Sequence, residues 1–179
     1  GYSGSDSFVW RMNDGSSDSN VAFCTIRVRD PKERAGQLVV VVVNDLLLPE
    51  ISDDVNRLQA DLVQDGYTAK IKPWNGSADA LWECLNAEYN TPGQFMAGAI
   101  FIGNVPTWGA TDLNFWNLKA KGGYTGPYQI WVSRMWGVGS YYGEMSPFGD
   151  EVTLLKRALQ ANHDSRTGAA RLPYTAYHY

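Results

Sequence analysis

Few side chains in this sequence can perform nucleophilic or proton-transfer chemistry: two cysteines, Cys24 and Cys84, and two histidines, His163 and His178. A thiol or hydroxyl hydrolase needs an imidazole beside its nucleophile. His163 follows the predicted end of a helix, where an imidazole caps the helix or faces solvent, and His178 is the penultimate residue. Cys24 lies in a predicted strand and Cys84 in a predicted helix, where core positions are expected to be inert. The sequence therefore offers no complete catalytic pair.

Patterns for cofactors and metals are also incomplete. The two cysteines are too far apart for a Cys-x-x-Cys motif or a zinc knuckle, and a disulfide between them is left open. The oxygen-rich loop at 14–20, DGSSDSN, resembles a calcium loop, but it lacks the glutamate and the spacing of an EF-hand. A solvated turn is the favoured interpretation. Without a dinucleotide fingerprint, a phosphate loop or a nucleophile elbow, the sequence calls for no cofactor and assigns no metal ligand.

Composition narrows the class of protein. The 179 residues are 44% hydrophobic and 13% aromatic, which is typical of a globular domain. With 15 basic and 19 acidic residues the formal charge is −4, so the chain has no basic surface of the kind that binds nucleic acid or an anionic membrane. The longest apolar run, at 38–43, is far shorter than a membrane span. We expect neither nucleic acid nor a membrane as a partner.

The elements that would position any site alternate between strand and helix. The run LVVVVV at 38–43 has no polar position, which predicts a parallel strand covered on both faces by helices. The pattern predicts strands at 38–43, 67–72, 95–103 and 128–137, and helices at 50–66, 77–89 and 147–162. The expected fold is an α/β three-layer sandwich with a mainly parallel sheet, similar to flavodoxin or caspase sheets.

An N-terminal leader and β-hairpin precede this sandwich. Strands are predicted at 8–12 and 21–30, after a polar start at 1–7 that we exclude from the fold. The predicted domains are therefore 1–36, the leader and hairpin, and 37–179, the α/β subdomain.

Ligands of open α/β sheets bind at the carboxyl ends of the strands, so the loops there are the candidate sites. The two longest loops are aromatic and rich in glycine. They carry Trp108 and Asp112 after the third parallel strand, and Trp136 and Glu144 after the fourth. These four side chains are candidates for a substrate-side or supporting role, although the tryptophans could instead pack beneath a neighbouring domain.

Several tracts resemble, in order, the first part of the catalytic region of gingipain-like cysteine peptidases, which are relatives of the caspases. A helix ends in Gly66-Tyr67, a strand closes in the hydrophobic-Gly-Asn-hydrophobic-Pro pattern at 102–106, and a later strand carries Val-Ser-Arg at 132–134. The similarity covers roughly residue 37 to the end.

The resemblance implies a non-nucleophilic subdomain, because in that family the histidine and cysteine belong to a second α/β subdomain. The strand-like ending RLPYTAYHY is consistent with a chain cut before that subdomain. The resemblance also implies a secreted or cell-surface enzyme with peptide substrates, and calcium is common among its members. Glu144 is the nearest acidic residue that could lie beside the histidine of the neighbouring subdomain. Lys156 or Arg157 stands where arginine-specific members have an acid, which argues against that specificity.

Two further functions stay open. A non-catalytic α/β module could bind a protein, peptide or glycan through the aromatic loops 104–117 and 135–149. An independent flavodoxin-like enzyme ranks last, because the phosphate-binding loop it needs is missing from the sequence. The sequence thus leaves the enzyme assignment uncertain: the chain is part of a cysteine endopeptidase if a second subdomain supplies the histidine and the cysteine.

Overall fold

The structure is a computed structural model that describes residues 4–28, 35–106, 113–119, 121, 128–136 and 150–169. The chain forms two compact units, 1–35 and 36–179. Of the candidate residues proposed from sequence, Trp108, Asp112 and Glu144 lie outside the described residues, as does His178. No helix in the described part is both long and apolar enough to cross a bilayer.

The first unit is an antiparallel hairpin of β1 (Gly4–Trp10) and β2 (Ala22–Val28). β1 begins within the polar stretch that the sequence excluded, so that exclusion was wrong. Main-chain pairing with β2 holds these small polar residues in the strand despite their low β propensity. In the connecting loop, Asp14 Oδ1 accepts hydrogen bonds from the main-chain N–H groups of Ser17 and Ser16, which lower the pKa of its carboxyl. This carboxylate is occupied by its own turn, as in an Asx turn.

The second unit is a three-layer α/β sandwich around a four-stranded, all-parallel sheet. Its strands lie in the order β4-β3-β5-β6. They are β3 (Gln37–Asn44), β4 (Thr68–Trp74), β5 (Phe95–Ile102) and β6 (Trp131–Met135). The helices are α1 (Leu48–Gln64), α2 (Ala78–Tyr89), the single turn α3 (Leu113–Trp116) and α4 (Glu151–Thr167).

Both faces of β3 are buried, as its unbroken apolar run predicted. Side chains of even and odd number point to opposite sides of a strand. Val40 and Val42 pack with α2 and α3, whereas Val39, Val41 and Val43 pack with α1 and α4. All five valines are fully buried, and burial of one such side chain contributes about 1.5–3 kcal/mol. The central strand is therefore the main hydrophobic anchor of both helical layers.

Helix boundaries follow local signals that the sequence identified in part. Ser77 caps α2 as predicted, since its hydroxyl accepts a hydrogen bond from Ala80 N. α1 begins two residues earlier than predicted, because Pro49 suits the first helical turn. Ser52 is consequently inside the helix and not at its start.

α4 runs to Thr167, five residues beyond its predicted end. The Asp150 carboxylate caps its start by accepting a hydrogen bond from Thr153 N at 2.8 Å. Gly168, at φ 74°, ends the helix in the left-handed conformation that glycine adopts without strain. His163 therefore lies inside the helix, so its placement beyond the helix end was wrong. β6 is shorter than predicted, at five residues.

Candidate functional site

The carboxyl ends of β3 and β5 form the topological switch point of the sheet. From β3 the chain crosses to β4 on one side, whereas from β5 it continues to β6 on the other. Loops that leave two neighbouring strands in opposite directions open a crevice between them, where α/β proteins bind ligands. Here the crevice is bounded by residues 44–47 and 103–106. We call these residues, with Trp74, Asn75 and Glu151, the switch-point site.

Asn44 joins the two loops of the switch-point site. It is the last residue of β3, and its Nδ2 donates to the carbonyl of Asn104 at 2.9 Å. Its Oδ1 accepts from Leu46 N at 3.0 Å, which shapes the turn that leads into α1. One amide side chain thus fixes the distance between the ends of β3 and β5.

Asp45 presents a carboxylate between the ends of β3 and β4. Its main-chain N–H donates to the carbonyl of Trp74 at 3.1 Å, and its Oδ2 accepts from Asn75 Nδ2. Oδ1 is buried and has no hydrogen-bond partner among the described residues. A buried carboxylate oxygen is stabilised when a donor binds it, so this atom is available to accept a hydrogen bond.

Gly103 allows the β5 loop to approach the β3 loop closely. Its φ is 77°, and a Cβ at this position would lie 2.4 Å from Leu47 Cδ1 and 3.3 Å from Asn44 Cβ. Its N–H donates to the carbonyl of Met135 at 2.9 Å, which holds the turn to the end of β6. Only glycine satisfies both the positive φ and the space available.

Glu151 adds a second carboxyl to the switch-point site. It is the first residue of α4, and its Oε1 lies 3.7 Å from the place a Cβ on Gly103 would occupy. Burial raises the pKa of the Glu151 carboxyl above its ordinary value of 4.5. The carboxyl has no hydrogen-bond partner among the described residues. A half-buried acid of this kind can exchange a proton or accept a donor from a bound group.

Arg134 links β6 to the loop after β5. Its Nη1 donates to the carbonyl of Val105 at 2.6 Å. Its guanidinium lies 5.0 Å from the ring centre of Phe101 and 5.3 Å from that of Trp136, which are cation–π distances. Trp136 is thus the only one of the four side chains proposed from sequence that falls within the described residues, and it packs on Arg134 while remaining 42% exposed.

His163 and Cys84 lie on opposite faces of the sheet. His163 belongs to α4, and its Nδ1 lies 3.0 Å from both carboxylate oxygens of the buried Asp61 on α1. Cys84 belongs to α2 and is half-buried beside the core residues Leu81 and Leu85. The imidazole and this thiol are therefore separated by the sheet. Both Cys24 and Cys84 are free thiols. The sequence predicted core positions for both, but each side chain is only half-buried.

Lys156 and Arg157, which the family resemblance placed at a specificity position, line an open groove of 410 Å³ between α1 and α4. Their side chains are exposed, and Asp54 and Asp164 line the same groove. The groove lies on the outer surface of the helical layer, so it is separate from the switch-point site.

Sequence reasoning missed the two carboxyls of the switch-point site. Asp45 directly follows the most apolar strand and was available as a signal, because a polar residue at the end of such a strand lies at the ligand edge. Glu151 gave no comparable signal, since it reaches the site only through the packing of α4. The described residues contain no group of three or more histidine, cysteine or acidic side chains arranged for a metal ion.

Comparisons with models of protein families, with curated proteins and with solved structures found no match to this chain.

Proposed function

We propose that this chain is the non-nucleophilic α/β subdomain of a secreted or cell-surface gingipain-like cysteine endopeptidase. It is inactive alone and acts with a second subdomain that carries the histidine and the cysteine. In the intact enzyme an imidazole would increase the thiolate fraction of the cysteine, and the thiolate would attack a peptide carbonyl. No cofactor is part of this proposal, and a calcium site remains an open prediction.

The hydrogen bond from Arg134 Nη1 to the carbonyl of Val105 carries this proposal. It joins the two tracts on which the resemblance chiefly rests, Ile102–Pro106 and Val132–Arg134. In the sequence, Val132 lies 26 positions after Pro106. The tracts lie on neighbouring strands, and both lead to the edge where ligands of α/β sheets bind. The two tracts are thus separate in the sequence but adjacent in the fold.

The switch-point site suits a supporting role in peptide hydrolysis. Glu151 supplies a half-buried carboxyl with a raised pKa, and Asp45 supplies a buried oxygen that lacks a donor. Either can accept a hydrogen bond from the peptide or from an imidazole of the neighbouring subdomain. The sequence proposed Glu144 for a place beside that histidine, and Glu144 lies outside the described residues, whereas Glu151 lies at the switch-point site.

Peptide cleavage tests the proposal. The natural polypeptide that extends past Tyr179 should cleave peptides, and a thiol-alkylating reagent should abolish the cleavage. Residues 1–179 alone should cleave nothing. Cleavage that resists alkylation, or an extended polypeptide that folds but does not cleave, would overturn the proposal.

A binding module is the second candidate, because three large aromatic side chains are exposed in β6 or in the residues just before and after it. Tyr128 is 47% exposed, Trp131 40% and Trp136 42%. Exposed aromatic groups on a rigid strand can pack on apolar side chains or sugar rings. A natural stop codon directly after Tyr179 would favour this function over the peptidase.

A further inference from the structure

The outer surface of α4 carries charges of both signs along an open groove. The groove has a volume of 410 Å³ and lies between α4 and α1. We call it the outer groove, and its lining residues are Asp54, Lys156, Arg157, Gln160, Ala161 and Asp164. A simple ion of either sign would meet repulsion there, because cations and carboxylates line the same space. The outer groove therefore suits a partner that itself carries both charges.

Two cations of the outer groove are available to a carboxylate from outside. Asp54, on α1, is engaged by Arg57 of the same helix at 2.5 Å. Lys156 and Arg157, on α4, are exposed, and within the described residues they make neither an ion pair nor a hydrogen bond. An external carboxylate could therefore bind Arg157 without displacing another acid of this groove.

Asp164 lies on the same face of α4 as Arg157. It follows Arg157 by seven positions, which is two turns of an α-helix and about 10 Å along the helix axis. Gln160 Nε2 donates to Asp164 Oδ1 at 2.6 Å, and no other side chain in the described part of the chain donates to this carboxylate. Gln160 and Ala161 lie midway between the two charges. The face is thus positive toward one end, negative toward the other and uncharged at its centre.

This order of charges is self-complementary. When two copies of α4 pack antiparallel about a two-fold axis between Gln160 and Ala161, Arg157 of each copy faces Asp164 of the other. Symmetry repeats every contact, so the pair contains two arginine–carboxylate contacts. The small side chain of Ala161 at the centre allows the helices to approach closely. A parallel arrangement in the same register would place like charges opposite each other.

We propose that the outer groove is the surface on which a second copy of this chain docks, with the two α4 helices antiparallel. The proposal does not depend on the proposed function. Because the contact is one largely polar helix face, the dimer is transient, with a Kd on the order of 0.1 mM. Its charge pairs are exposed, so salt weakens the dimer.

Sedimentation equilibrium of residues 1–179 tests for the dimer. At about 0.1 M salt, the chain should be mostly dimeric when its concentration reaches about 1 mM. Raising the salt to about 1 M shortens the Debye length from about 10 Å to about 3 Å, and the Kd should rise at least about tenfold. A chain that stays monomeric up to about 1 mM, or a Kd that is independent of salt, would overturn the proposal.

Charge reversals identify the contact. Arg157→Asp and Asp164→Arg each place like charges opposite one another, so each variant alone should associate at least about tenfold more weakly than wild type. An equal mixture of the two variants should form a heterodimer, because the two carboxylates of one variant then face the two guanidinium groups of the other. Lys119→Asp is the control. It changes the net charge as Arg157→Asp does, but it follows α3 on the opposite face of the sheet and should leave association unchanged.

The mixture gives the decisive result, because it restores complementarity without restoring either native sequence. Circular dichroism should show that all variants keep the native helix content. Association retained by both single variants would mean that another surface, such as the exposed hairpin of β1 and β2, joins the copies, and it would overturn the proposal. A mixture that associates no better than either variant alone would also overturn it. Peptide cleavage is not part of these measurements, so the proposed function stands or falls separately.

Discussion

Replacement of His163 by alanine should destabilise the α/β unit by removing the donor of a buried carboxylate. The Asp61 side chain is only 7% exposed, and both its oxygens lie 3.0 Å from His163 Nδ1. No other side chain among the described residues donates to this carboxylate. Without the imidazole, the charge remains inside the interface between α1 and α4 and loses its donor.

The expected cost follows from that loss. An unsatisfied buried polar group costs about 1–3 kcal/mol, and an unsatisfied buried charge costs more. Because the imidazole is itself 29% exposed, water can reach part of the vacated space and limits the cost. We expect the free energy of unfolding to fall by about 2 kcal/mol, which lowers the Tm of a domain this size by about 4–8 °C.

Urea unfolding followed by circular dichroism at 222 nm measures this change, since the described helices all belong to residues 36–179. Ser165→Ala, at an exposed position of the same helix, is the control and should change stability by less than about 0.5 kcal/mol. Replacement of both Asp61 and His163 by leucine should recover most of the loss, because neither polar group remains unsatisfied. A His163→Ala variant as stable as wild type, or a double variant less stable than the single one, would refute the reasoning.

Three other perturbations test the fold and the switch-point site. Gly103→Ala should lower the Tm clearly more than Gly93→Ala, because both glycines have φ 77° but only a Cβ at 103 meets neighbouring atoms. Equal effects in a thermal melt would argue against close approach of the two loops. NMR titration should find the Glu151 carboxyl with a pKa above 4.5, since burial disfavours its charged form. Because the pKa of Glu151 is higher in the folded than in the unfolded chain, its contribution to stability is present below the unfolded pKa and is lost as the pH rises through the folded pKa. Wild type should therefore lose stability relative to Glu151→Gln over this pH range. A stability difference that stays constant with pH would contradict this. Ser77→Ala should cost about 1 kcal/mol in chemical unfolding through loss of the α2 cap, whereas Ser52→Ala, inside α1, should cost little; equal losses would mean that Ser77 does not act as a cap.

The layer architecture could be predicted from sequence because it depends on local patterns. The unbroken apolar run of β3 required cover on both faces, and the apolar positions of α1, α2 and α4 supplied it. Ser77 was recognisable as a cap from its position alone. The same patterns predicted that the carboxyl ends of the strands form the ligand edge.

The chemistry of the site was harder to predict from the sequence, because it depends on contacts between residues that are far apart along the chain. Asp61 and His163 are far apart in sequence, and their pairing required the relative positions of α1 and α4. Glu151 reaches Gly103 for the same reason, and its pKa reflects burial that no sequence pattern encodes. Pro49 could have indicated the true start of α1, but the serine and aspartates that follow it also matched a helix start.

Identification of the reactive cysteine tests the central claim most directly. The polypeptide extended past Tyr179 is treated with isotope-labelled iodoacetamide until peptide cleavage stops, and mass spectrometry locates the label. We predict that the inactivating label lies on a cysteine outside residues 1–179, and that a variant with serine at both Cys24 and Cys84 still cleaves peptides. Inactivation through Cys24 or Cys84 would place the nucleophile in this chain and contradict the account.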